Sequence, residues 1–177
     1  MKLKQDKGIV LVEAIIAVGV LVTIFTAAMS LYTVSVGGIR ITNDQVIATY
    51  LAQDALEIVI ARRQFNYEQS HTNHWLDGIS GCTTGSPCAV SYYDDISSAN
   101  PFSSCVSASI CPLRLDANGV YNPDNGDVTH FHRSISSTPI TGMTASSTRI
   151  QSRVWWQDGG GNILEYSLWH TIYANPN

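Results

Sequence analysis

The chain has 177 residues and a formal net charge of −4, which argues against broad nucleic-acid binding, because a phosphate-binding surface needs an excess of basic side chains. No G-x-S-x-G, H-E-x-x-H, phosphate-binding loop or nucleophile–base pair is present, so neither enzymatic activity nor a cofactor is expected.

Lys2, Lys4 and Lys7 open the sequence against one acid, Asp6, and the next charge outside the following apolar run is Arg40. That excess of lysine predicts a cytoplasmic N-terminus and an exported remainder. From Ile9 to Met29 the chain is apolar but for Glu13. A helix of about 21 residues crosses the ~30 Å hydrocarbon core. A central acid costs about 2.5–3.5 kcal/mol on insertion scales and less near an end. An anchor has no use for that cost, so Glu13 is expected to have a partner. A secretory signal peptide is the rival reading, with Thr26-Ala27-Ala28 as its cleavage site. It fits less well, because such signals have a shorter, uncharged apolar region and this run flows on into a further helical pattern.

Lys7-Gly8 followed by Ile9-Val10-Leu11-Val12-Glu13 resembles the processing site of type IV pilins and of type II secretion pseudopilins. The resemblance covers about the first 60 residues. It implies cleavage by a prepilin peptidase after Gly8, methylation of the new N-terminus at Ile9, and Glu13 as the fifth mature residue. It further implies that the Glu13 carboxylate neutralises the N-terminal ammonium of a neighbouring subunit, a pair tolerable in an apolar bundle where either charge alone would be costly. Ile9 departs from the phenylalanine usual in the family, and Val10 from a common threonine. The partners implied are other pilin subunits, the peptidase, the inner-membrane assembly machinery and, before assembly, membrane lipid.

Gly37-Gly38 interrupts the helical pattern at about 1 kcal/mol per glycine, which predicts a bend, local melting or a break between two helices. Beyond it, Ile47, Tyr50, Leu51, Asp54, Ala55 and Ile58 recur at helical spacing as one apolar face with Asp54 intruding. Asp44, Gln45, Gln53, Glu57 and Arg62 occupy the other sides. The helix is expected to end near Arg63–Tyr67. The stretch from Ala48 to Glu57 is also similar, more loosely, to minor pilins and pseudopilins.

After Tyr67 the chain becomes rich in Ser, Thr, Gly, Asn and Asp, with Pro87, Pro101, Pro112, Pro123 and Pro139 as punctuation. Strands are predicted at Val90–Tyr93, Ser109–Leu115, Thr129–Ser134, Arg149–Trp156 and Ile163–Ile172. Asp158-Gly159-Gly160-Gly161-Asn162 joins the last two as a hairpin turn, and the Trp-rich hairpin resembles the C-terminal strands of many minor pilins. Cys82, Cys88, Cys105 and Cys111 form two pairs with five residues inside each, which in an exported domain points to disulfides. Three connectivities are possible, and local pairing is favoured over the crossed ones. The zinc alternative lacks the tighter C-x2-4-C spacing.

His71-x2-His74 and His130-x-His132 have chelating spacing, yet surface histidines among Ser and Thr are more often solvated. Asp116–Gly119 and Asn122–Asp127 are oxygen-rich but miss the calcium-loop pattern, so turns explain them better. Arg149 and Arg153 form a small basic patch. Tyr92, Tyr93, Trp155, Trp156 and Trp169 are either core or an adhesive surface.

The sequence therefore predicts an α+β protein: a leader over 1–8, a membrane and assembly helix over 9–39, its amphipathic continuation over 40–66, and an antiparallel β-rich exported domain over 67–177. The expected function is that of a minor pilin in a type IV pilus, with roles in assembly, adhesion, motility or DNA uptake. A secretion pseudopilin and a membrane-tethered binding module that never polymerises are the alternatives.

Overall fold

The structure of the protein, a computed structural model, describes residues 7–70, 74–98, 101–105, 111–140 and 147–174, with the side chains of 7–9 and 70 outside the description. The chain divides into two compact units, Met1–Asn43 and Asp44–Asn177. Helix α1 spans Lys7–Ser70 and is followed by β1 (Cys88–Ala89), β2 (Ser103–Ser104), β3 (Pro112–Leu115), β4 (Tyr121–Asn122), β5 (Asp127–Pro139), β6 (Ser147–Gln157) and β7 (Ile163–Tyr173). The layout is α+β, one long apolar N-terminal helix and an antiparallel sheet, and is pilin-like in that respect.

The helix does not break at Gly37-Gly38 and runs past Arg63–Tyr67 to Ser70. Propagation adds a hydrogen bond per residue, so two glycines within a helix already formed on both sides cost about 1 kcal/mol each without stopping it. In the second unit the buried face is rotated from the one expected. Ala48, Leu51, Ala52, Ala55, Leu56 and Val59 line the core, whereas Tyr50 stands 68% exposed. Ala48, Ala52 and Ala55 are fully buried, and Leu51, Leu56 and Val59 beside them supply the bulk that this face brings to the core.

Strand β5 is the centre of the sheet. On one side it pairs with β6 and β6 with the edge strand β7; on the other it pairs with β1 near Ile135 and with β3 from Asp127 to His132, all antiparallel. Alternation along β5 and β6 sends Phe131, Arg133, Ile135, Ile150, Ser152, Val154 and Trp156 to one buried face. One part of the core joins Ala48, Leu51 and Ala52 to Leu113, Phe131, Val154 and Trp156. The other joins Ala55, Leu56, Ile58 and Val59 to Trp75, Ile79, Phe102, Ile135, Ile150 and Ile172. The β6–β7 turn is closed by Asp158, whose Oδ1 accepts from the Gly160 and Asn162 amides at 2.8 Å, with Gly161 at φ +84°. Only glycine adopts that φ freely.

Two expectations for the strands need correction. Val90–Tyr93 is not a strand; β1 lies just before it. The Asp94 carboxylate accepts from the Ser91 amide at 2.6 Å and the Asp94 amide donates to the Ser91 carbonyl at 3.1 Å, so the backbone is satisfied in a local turn rather than a ladder. The expected Ser109–Leu115 strand begins, among the described residues, at Pro112, with Ser109 and Ile110 outside the description.

Disulfides join Cys82 to Cys88 and Cys105 to Cys111, with Cα atoms 5.2 and 5.1 Å apart. The first pair is buried in the core, and the Cys82 carbonyl accepts from the amide and hydroxyl of Ser137 at 2.5 and 2.9 Å. It therefore fastens a turn-rich loop to the central strand. Replacing both cysteines (Cys82→Ser with Cys88→Ser) is expected to lower unfolding free energy by about 2 kcal/mol, the loop-closure entropy of so short a ring. Urea unfolding of the full chain in maltoside micelles measures it; an unchanged midpoint would show the cross-link to be redundant.

The end of α1 is held by side chains rather than by apolar packing alone. Arg62 was expected on an outer side of the helix but is buried. Its Nε donates to the Asp77 carbonyl at 3.0 Å, and its Nη1 to the carbonyls of Ile96 and of Ser98, the latter at 2.8 Å. Arg63 donates to the Tyr173 carbonyl at 2.6 Å and Asn66 to those of Trp75 and Asp77 at 3.2 and 2.8 Å. Burial pushes the Arg62 guanidinium down from its ordinary pKa, against the pull of Asp77 and Asp95. Polar loop carbonyls that would otherwise be buried without donors are satisfied in this way.

Candidate functional site

In the first unit every side chain described from Val10 to Asn43 is exposed except Val36, which is half-buried. Large apolar groups point outward all round the helix, including Leu11, Ile16, Leu21, Phe25 and Leu31. This is the one helix among the described residues long and apolar enough to cross a membrane. Its threonines are satisfied internally: the hydroxyls of Thr23, Thr26, Thr33 and Thr42 donate to carbonyls three or four residues earlier. Hydroxyls tied to their own helix can sit in lipid or against another helix without an external partner.

Glu13 is the one charged residue between Val10 and Ile39. It is exposed on this surface and makes no hydrogen bond or ion pair among the described residues. Gly8 and Ile9 lie in the first turns of α1, with their side chains outside the description. Leu11, Ala14, Ile15 and Val18 form a shallow apolar groove with alanine as its floor. At 100° per residue that groove lies on the side of the helix away from Glu13. The unit thus offers a carboxylate on one face and a side-chain-sized recess on the opposite one.

The remaining sequence candidates do not converge on a second centre. His130 Nε2 lies 3.5 Å from Asp44 Oδ1, while His132 stacks on Trp155 at 5.3 Å between centroids. Burial lowers the pKa of His132. His74 pairs with Asp77 at 3.1 Å, and His71 lies outside the described residues. Asp116 Oδ1 accepts from the amides of Asn118 and Val120, and Asn122 Oδ1 from those of Asp124 and Asn125, so both oxygen-rich stretches close their own turns. Among the described residues no three His, Cys, Asp or Glu side chains gather at one point. Arg153 is engaged by Glu165 at 2.6 Å and lies 5.0 Å over the Trp155 ring. Trp155 and Trp156 are buried, whereas Tyr92, Tyr93 and Trp169 are exposed. No family model matches the chain, nor does any curated protein or solved structure.

Sequence reasoning missed one buried ionic pair. Arg133, its side chain fully buried, donates through Nη1 to Asp54 Oδ2 at 2.5 Å and to the Leu51 carbonyl at 3.1 Å, and through Nη2 to the Val90 carbonyl at 2.7 Å. The signal was present in two halves: an acid intruding on an apolar helix face, and an arginine between Phe131 and Ile135 on the inward side of a strand.

Proposed function

We propose that the protein is a subunit of a type IV pilus or related filament, built into it through the first half of α1, with the disulfide-bonded domain carried on the outside. The observation that carries this reading is Glu13: an exposed carboxylate, without a partner among the described residues, on a helix whose surrounding surface is apolar and exposed. As an anchor alone, the helix would be more stable in lipid without it. As a packing element it gains a use, because the ammonium of a neighbouring subunit cleaved after Gly8 supplies the missing charge. The groove at Leu11–Val18 on the other side supports the same reading. Two different contact faces on one helix suit head-to-tail association, which gives an open helical filament where the rotation does not close a ring. The lysines ahead of the run orient the N-terminus to the cytoplasm and the domain to the exported side, where disulfides form and persist. The role is structural, that of a minor pilin.

N-terminal mass spectrometry of the membrane-extracted protein tests the proposal. A mature chain beginning at methylated Ile9 is the expected result. A chain retaining residues 1–8, or one beginning near Ala28, would overturn it.

A further inference from the structure

The second unit contains an apolar recess of about 400 Å³ lined by Ile47, Tyr50, Leu51, Asp54, Tyr92, Val120 and Tyr121, within the usual size range of small-molecule sites. Its chemistry is selective. Ile47, Leu51 and Val120 supply alkyl walls, three tyrosines supply ring faces and edges, and the charged group on the lining is a carboxylate. That carboxylate is fixed: Asp54 Oδ2 is held by Arg133 behind the wall, while the side chain stays 41% exposed. The rings are also braced. Tyr121 packs edge-on against Phe131 with centroids 6.1 Å apart. Tyr92 meets Tyr93 edge-to-face at 5.8 Å, and the Tyr93 hydroxyl donates to Asp116 at 2.8 Å. Burial first, and Asp44 second, raise the pKa of the Tyr121 hydroxyl, which places a further carboxylate near the rings.

Aromatic faces attract cations through their quadrupole, and quaternary ammonium groups are the cations that aromatic cages recognise. A primary ammonium carries three donors and a tight hydration shell. Against ring faces and alkyl walls that shell is lost without equivalent replacement, because Asp54 Oδ2 is already engaged by Arg133 and the other acceptors on the lining are tyrosine hydroxyls. A quaternary ammonium donates no hydrogen bonds and presents methyl groups to the same walls. We propose that the recess between Tyr50, Tyr92 and Tyr121 is a binding site for a quaternary alkylammonium group, held by the tyrosine rings with the Arg133-paired carboxylate of Asp54 at its edge. All the lining residues belong to the second unit.

The test is an NMR titration of the full chain, tyrosine-ring labelled, in maltoside micelles, which carry no ammonium group. Short-chain butyltrimethylammonium is expected to shift the Tyr50, Tyr92 and Tyr121 ring signals saturably. The neutral isostere with a tert-butyl group in place of trimethylammonium, and butylammonium, should each bind at least about fivefold more weakly. Tyr50 and Tyr92 are 68% and 70% exposed, so Tyr50→Ala with Tyr92→Ala leaves the core in place. That variant should lose at least about fivefold in affinity, and Tyr92→Phe should keep most of it. Absence of a saturable shift, equal affinity for the neutral isostere, tighter binding of butylammonium, or undiminished binding by the double alanine variant would each overturn the proposal.

Discussion

Glu13→Ala is expected to leave membrane insertion and cleavage after Gly8 intact while lowering incorporation into filaments on the order of 100-fold. The insertion half follows from lipid energetics, since removing an acid from an apolar span makes insertion easier. The assembly half follows from charge pairing. In a bundle of apolar helices, the ammonium of a processed neighbour would be buried without a counter-charge, and stranding one member of a buried pair costs about 3–5 kcal/mol. Each 1.4 kcal/mol is a factor of about ten in an association constant. Glu13→Gln separates charge from shape: it keeps the volume, loses the anion, and should fail nearly as badly as alanine. Immunoblots of sheared filaments against the membrane fraction read the outcome directly. Wild-type amounts of the alanine variant in the sheared fraction would sink the assembly role of this carboxylate, and accumulation of uncleaved precursor would relocate the defect to processing.

What the sequence disclosed tracked whether the governing interactions were local. The β6–β7 hairpin was legible because alternation, aromatic content and the Asp158–Asn162 turn all act within thirty residues or so. The strand expected at 129–134 is too short: β5 runs from Asp127 to Pro139, since Ser136, Ser137 and Thr138 look like loop residues until β6 and the Cys82 carbonyl supply partners. The two-residue strands at Ser103 and Tyr121 have no pattern long enough to detect. The rotated helix face has a similar origin. Periodicity counts Tyr50 as apolar, but the face that packs in the core carries alanines at 48, 52 and 55, and the phenol of Tyr50 can remain in water. Arg62 and Arg133 were hidden for the converse reason. Their burial depends on carbonyls and a carboxylate brought from distant parts of the chain, and composition alone assigns arginine to solvent. Glu13 could be singled out from sequence because its peculiarity is relative to its immediate neighbours.

Asp54→Ala is expected to cost about 3 kcal/mol of folding stability, the lower end of the range for orphaning a buried charge, and Arg133→Met distinctly less. The asymmetry comes from where each partner sits. The Arg133 side chain is fully buried and Asp54 is 41% exposed. Losing the carboxylate leaves the guanidinium hydrogen-bonded to the Leu51 and Val90 carbonyls, with the weaker pull of Asp94 as its remaining opposite charge, and it cannot shed its charge in compensation. Burial already pushes its pKa down, and Asp54 is the largest opposing influence. Losing the guanidinium instead leaves a carboxylate that water can reach, while methionine fills much of the vacated space without an unmet charge. The double variant should then be no less stable than Asp54→Ala alone, because the second change removes the stranded cation. Urea unfolding of the four proteins in maltoside micelles closes the cycle. Equal single-variant costs, or a double variant worse than Asp54→Ala, would mean that the pair acts through packing rather than through charge.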